Sequence, residues 1–180
     1  MMRCAMSCAR RVGKKAPSAA IIDAQSVKAA NHPGLRGFDA GKKLMGRKRH
    51  VVVDTAGLLL GVLITAANVS DQAGARKLLK EVCLRFGWLR HIWADAGYLG
   101  QKLLAAVQQL IPNRGLRIQI VKRSDLHRHS FEILPRRWVV ERTFAWLSFS
   151  RRLAKDYEVK TDHSRGFILI ASSRIMLKLA

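Results

Sequence analysis

The sequence predicts one α/β domain of three layers, a mixed sheet flanked by helices, and three observations predict it. Short apolar runs suited to buried strands alternate with segments whose apolar residues recur every 3.6 positions, so strands and helices are interleaved along the chain. A length of 180 residues suffices for one ordinary core and is short for two. A hydrophobic fraction of 49% beside a charged fraction of 25% belongs to a folded protein rather than a disordered tail.

Residues 1–18, with Arg10, Arg11, Lys14, Lys15 and Pro17, lack sustained periodicity and read as a basic lead-in to a domain spanning 19–180. Cys4 and Cys8 have no second Cys or His pair at ligand spacing nearby, so no structural metal is expected there. With Cys83 they make three cysteines, an odd number without a secretory segment, which points to a reducing compartment.

Ala19 to Ala24 is a short apolar run that carries Asp23 to its end, as a buried strand would. Read alone, Asp23 serves equally well as a cap for the turn that follows. Asn31 to Arg49 holds four glycines and six Lys or Arg residues and reads as a basic loop entering a strand. Glycines there let the backbone approach a ligand closely, which makes Lys42, Lys43, Arg47 and Lys48 candidates for phosphate contact. His50 to Asp54 and Leu58 to Ala66 form an antiparallel pair about the turn Thr55-Ala56-Gly57, with Asp54 shaping the turn.

Gln72 to Phe86 is an amphipathic helix capped by Ser70 or Asp71, with Cys83 on its apolar stripe. His91 to Asp95 repeats the pattern of a short strand ending in an acid, and Gly97 lets the chain turn tightly after it. Tyr98 flanks that turn, where packing is the ordinary role. Gly100 to Leu110 reads as a helix, Pro112 to Gly115 as a turn and Arg117 to Val121 as a last strand. His127 and His129 lie in a polar loop and read as solvated or phosphate-contacting groups rather than metal ligands. A helix from Arg136 to Leu147 starts behind Pro135; Arg151 to Arg165 reads as a basic linker, and Gly166 to Leu179 as a closing helix.

Thirty-three Lys and Arg against 12 Asp and Glu give a net charge of +21, and repulsion of that size calls for a polyanionic partner, nucleic acid first. A membrane is excluded as partner, since the sequence has neither an isolated basic amphipathic helix nor an apolar run of about 18 residues.

Against that background Glu141 stands out, a lone acid in the basic and aromatic helix RRWVVERTFAWL. Taken alone, Arg137 and Glu141 at i and i+4 make a helix-surface ion pair worth ~0.2–0.5 kcal/mol. The wider pattern, Arg-x-x-x-Glu followed by Phe144-Ala145-Trp146 and Ser150-Arg151-Arg152, resembles the C-terminal signature of DDE transposases of bacterial insertion sequences, families four and five. That signature reads Tyr-x2-Arg-x3-Glu-x6-Lys; Arg137 and Glu141 match it, while Leu134 and Ser148 replace the tyrosine and the lysine.

The resemblance implies a ribonuclease H-like fold in which Asp23, Asp95 and Glu141 are catalytic. Asp23 lies in an Ile-Asp-x-x-Ser-Val sequence and Asp95 in Ala-Asp-x-Gly-Tyr, where the family keeps its two aspartates. It implies that these acids hold two Mg²⁺ ions, with Mn²⁺ able to substitute, for cleavage at element ends and strand transfer into double-stranded DNA. Lys42, Lys43, Arg47, Lys48, Arg137, Arg151 and Arg152 are then the expected DNA contacts. A homo-oligomer on DNA, at the bacterial nucleoid in the cytoplasm, is the implied setting. Family members usually carry a helical end-binding domain before this point, so the chain is expected to be the catalytic portion alone. The competing expectation is a truncated, catalytically silent DNA-binding product.

Overall fold

The computed structural model describes residues 18–31, 33–99, 101–110, 115–121 and 136–179. Cys4, Cys8, His127, His129, Leu134, Pro135 and most of the predicted 112–115 turn lie outside them.

The sheet is built on β1 (Ala19–Lys28), which pairs antiparallel with β3 (Leu44–Asp54) and parallel with β5 (His91–Ala94). Beyond β5 lies β6 (Arg117–Ile120), parallel to it. On its other side β3 pairs with β4 (Leu59–Ala66) and, at its start, with β2 (Gly37–Asp39). The sheet is therefore mixed. β1 runs past Ala24 to Lys28 because β3 begins earlier than its apolar run and keeps pairing with it, down to Lys28 opposite Gly46. Glycine is required there, since a Cβ at Gly46 would sit 1.9 Å from the Val27 carbonyl oxygen. The glycine-rich stretch read as a loop is thus a β2–β3 hairpin, with Lys42 and Lys43 exposed at its turn and Lys43 left-handed at φ 50°.

Alternation along the strands builds two cores. Ala20, Ile22 and Val52 face α1 (Asp71–Arg85), whose Leu78, Leu79, Val82 and Cys83 are buried against them. The helix starts on Ser70, whose hydroxyl accepts from the Ala73 amide at 3.3 Å. Ile21, Val51 and Val53 face the opposite layer of α3 (Arg137–Ser148) and α4 (Thr161–Leu179), through Val140, Phe144, Leu147 and Ile168. A short α2 (Gln101–Leu110) also joins the first layer, burying Leu103 and Val107. Asp54 shapes the β3–β4 turn, accepting from the amides of Ala56 and Leu58 at 2.8 Å each. Among the described residues no helix is long and apolar enough to cross a membrane.

Two expectations need correction. The segment 151–165 is no free linker: Ala29 bridges to Asp156, Asp156 is buried, and α4 already begins at Thr161. What draws the segment onto the sheet is Arg47, which is 0% exposed and so is not a DNA contact. Its place on β3 puts it on the covered face with Val51 and Val53. Its Nε donates to the Leu35 carbonyl at 2.7 Å, and Nη1 to Asp156 at 3.0 Å, to Ser164 Oγ at 2.8 Å and to the Glu158 carbonyl at 2.6 Å. Nη2 donates to the Val159 carbonyl at 2.6 Å. A guanidinium whose three nitrogens all find acceptors, one of them a carboxylate, tolerates burial.

Candidate active site

The register of the sheet assembles the site. Ile21 of β1 lies level with Trp93 of β5, so two residues further along these parallel strands Asp23 comes level with Asp95. Neighbouring strands run ~4.8 Å apart, which brings the two carboxylates side by side where β5 ends and, by alternation, to one face. Each is fixed by a nearby amide: Asp23 Oδ1 accepts from Ala24 N at 2.7 Å, and Asp95 Oδ1 from Gly97 N at 2.8 Å, capping a single 3-10 turn, Ala96–Tyr98. A Cβ at Gly97 would approach Asp95 Oδ1 to 3.1 Å, so the glycine keeps that carboxylate's surroundings open.

The third acid comes from α3. Burial of Val139, Val140, Phe144 and Leu147 orients the helix, which leaves Arg137 and Glu141 on the face beside the strand ends. Arg137 Nη2 lies 3.9 Å from Asp23 Oδ2, 3.8 Å from Asp95 Oδ2 and 3.6 Å from Glu141 Oε1. The three carboxylates therefore converge on one cationic atom. Asp23 is the most enclosed, and burial raises its pKa from 3.8 to about 6, against the lowering effects of the Ala24 amide and Arg137; Asp95 and Glu141 push it up further. Glu141, with its side chain 60% exposed, is the least constrained.

Two groups beside these acids, Asp71 and Tyr98, read from the sequence as a cap and a packing residue in preference to a supporting role at the site and a DNA contact. Asp71, at the start of α1, comes within 3.4 Å of where a Gly97 Cβ would stand and pairs with Lys48 at 3.0 Å. Since Ser70 supplies the cap, Asp71 is a fourth acid bordering the site. Tyr98 is buried with an unpaired hydroxyl in the field of Asp23, Asp71 and Asp95, and burial foremost drives its pKa upward.

The cations read as DNA contacts have divided fates. Lys42 and Lys43 are exposed at the hairpin turn, and Arg151 is exposed just beyond α3. Lys48 is largely covered and held by Asp71, with Asp39 at 4.0 Å. Arg152 bonds Glu158 at 2.6 Å and lies over the rings of Tyr157 and Phe167. Arg137 faces the acids, and Arg47 is buried.

Among the described residues no three acidic, histidine or cysteine side chains already stand at the spacing of a formed metal centre. The donor chemistry nevertheless fits a hard divalent ion, because three carboxylates face one positive charge with solvent on the Glu141 side.

The family model described as "Transposase DDE domain" matches residues 14–176. The chain belongs to the transposase DDE domain family. Over 130 residues, 68% of its length, this DDE domain is 32% identical to a Burkholderia cepacia protein assigned as the transposase for insertion sequence element IS402. The match spans 59% of that relative, so the chain covers about three fifths of its length. A solved chain of the simian T-cell lymphotropic virus intasome, determined in complex with the PP2A regulatory subunit B56 gamma, superposes with a TM-score of 0.54 at 19% identity. That superposition covers 88% of the DDE domain and 48% of the viral chain, and it shows the ribonuclease H-like fold.

Proposed function

We propose that this DDE domain is the catalytic part of a transposase, cleaving the ends of an insertion sequence and joining them to target DNA with divalent ions, Mg²⁺ or Mn²⁺. The observation that carries the reading is the meeting of Asp23, Asp95 and Glu141, from three distant parts of the sequence, about a single cationic point. The relative from insertion sequence element IS402 supports the choice of transposition over other phosphoryl transfers.

Asp23, within β1, and Asp95, just past the end of β5, supply the rigid side of the site, and Glu141 supplies the adjustable one. Asp23, Asp95 and Glu141 would together hold the divalent ions. When bound, such ions activate an attacking water or 3′-hydroxyl and stabilise the leaving oxygen of an in-line displacement. The exposed Lys42, Lys43 and Arg151 hold the DNA backbone, and Arg137 reaches the phosphate nearest the acids. Assembly as a homo-oligomer on DNA, at the nucleoid, belongs to the same reading.

A second reading has one observation in its favour: Glu141 is well exposed and paired with Arg137, as in an ordinary surface ion pair. On it the chain binds DNA without cutting. Glu141→Gln decides between them. The substitution keeps shape but removes a charge, so nicking and joining of duplex carrying the element's own end should fall by several kcal/mol of transition-state stabilisation, each ~1.4 being tenfold. Binding should persist, since losing a negative charge beside phosphate weakens no attraction. If parent and variant both bind tightly and neither cuts, alone or with a helical end-binding domain added, the second reading stands.

A further inference from the structure

The contact that gathers the three acids is a peculiar one for an arginine. All three distances from Arg137 Nη2, 3.6 to 3.9 Å, exceed hydrogen-bond length, so these carboxylates hold the guanidinium by charge rather than by directed bonds. Arginine and carboxylate ordinarily form short, forked pairs, and none of these three is one. Arg137 is also the first residue of α3, and a cation at a helix N-terminus opposes the helix dipole. It follows Arg136, which sits in the left-handed region at φ 73° without a side-chain cap. The helix start offers the arginine nothing; the acids account for its place. Among the described residues, Lys48 is already taken by Asp71 and Arg136 lies over the Trp93 ring, which leaves Arg137 to face Asp23, Asp95 and Glu141.

We infer that Arg137 is an exchangeable counter-cation, occupying the focus of the three acids in the free protein and passing to a DNA phosphate when DNA arrives, so that DNA binding and divalent-ion binding are coupled. This rests on the proposed divalent-ion site. A phosphate offers the guanidinium the short forked bonds these carboxylates do not. Its departure leaves the negative charge of the three carboxylates unbalanced, and a divalent ion is what neutralises it. Coupling of this kind is reciprocal, so metal must also tighten DNA binding. In the free protein the arginine keeps the acids from repelling one another; on DNA it becomes a positioning residue.

The test measures free Mn²⁺ by electron paramagnetic resonance as it is titrated into the whole chain. The titration is run with and without a short duplex of arbitrary sequence, and binding to the duplex alone is subtracted. Duplex should tighten Mn²⁺ binding by the parent chain by about 5- to 150-fold, the usual span of coupling between two sites. Arg137→Gln should bind Mn²⁺ more tightly than the parent without DNA and lose most of the effect of duplex. Arg137→Lys, which keeps the charge, should fall between the two. An arginine serving only as a structural tie predicts the opposite sign, weaker Mn²⁺ binding by Arg137→Gln under both conditions, and that result overturns the inference. An unchanged Mn²⁺ affinity of the parent on adding duplex overturns it without recourse to any variant. Absence of Mn²⁺ binding under every condition is a different failure, that of the divalent-ion site itself.

Discussion

Asp23 is held by the fold at a cost that depends on pH. Burial, chiefly, lifts its pKa from 3.8 to about 6, so the folded state favours the protonated form more than the unfolded chain does. Its ionisation therefore destabilises the protein above pH 6, and that loss disappears as pH falls towards 3.8. Asp23→Asn, unfolded by urea in the presence of a chelator, should gain about 1–3 kcal/mol over the parent at pH 7, shrinking to nothing near pH 4. A gain that stays constant with pH would place the effect in packing. The comparison must be made between variants, because His50 titrates in the same range with the opposite sign. Burial lowers its pKa from 6.5 to about 4, so its contribution is present above 6.5 and lost as pH falls through 4. Nearby Asp71 opposes that shift and Lys48 adds to it, while Nε2 bonds the Thr65 hydroxyl at 3.0 Å. The sequence made the aspartates at strand ends conspicuous, since an acid closing an apolar run needs a reason. It hid Arg47 and Arg49, both buried, because a basic run looks the same whether some members point inward or all are solvated. Counting in twos back from Val53 and Val51 would have exposed both.

Among the elements, the joint between β3 and the segment leading into α4 depends on one buried ion pair. Arg47→Met removes the ion-pair partner of buried Asp156, leaving it the Ser164 hydroxyl and the Glu158 amide on Oδ1, the charge of Arg49 nearby and no partner on Oδ2. The expected loss is about 3–5 kcal/mol in urea unfolding, the usual cost of removing one member of a buried pair. Adding Asp156→Asn should recover part of it, and no recovery would mean that the carbonyl contacts, rather than the charge, carry the joint. The elements themselves were legible where periodicity ran long, as in α1 and α3. They were misjudged where pairing rather than composition decides, as at β2, whose one apolar residue, Phe38, is exposed and makes no run, and which forms a strand because Leu44 to Gly46 lies alongside. The start of α4 was missed for a related reason: Thr161 to Arg165 is polar and becomes helical in a chain already anchored through Asp156.

For the molecule as a whole, the charge of +21 remains the largest electrostatic fact, but fewer cations are free to use it than the sequence suggests. With Arg47 buried and Lys48 and Arg152 paired within the protein, affinity for arbitrary duplex should follow the lower end of a span of ~6–10 phosphate contacts. It should fall roughly 10³-fold between about 50 and 200 mM salt, measured by fluorescence anisotropy. A flat response would remove nucleic acid as the partner. The buried arginine also sets an order in time. Asp156 lies 109 residues after Arg47, so during synthesis β3 leaves the ribosome long before the group that neutralises it exists. Until then, closing that face of the sheet would strand a guanidinium with the Leu35 carbonyl as its partner. The nascent strands can pair early, but the face that receives α4 seals only after residue 164 has been made.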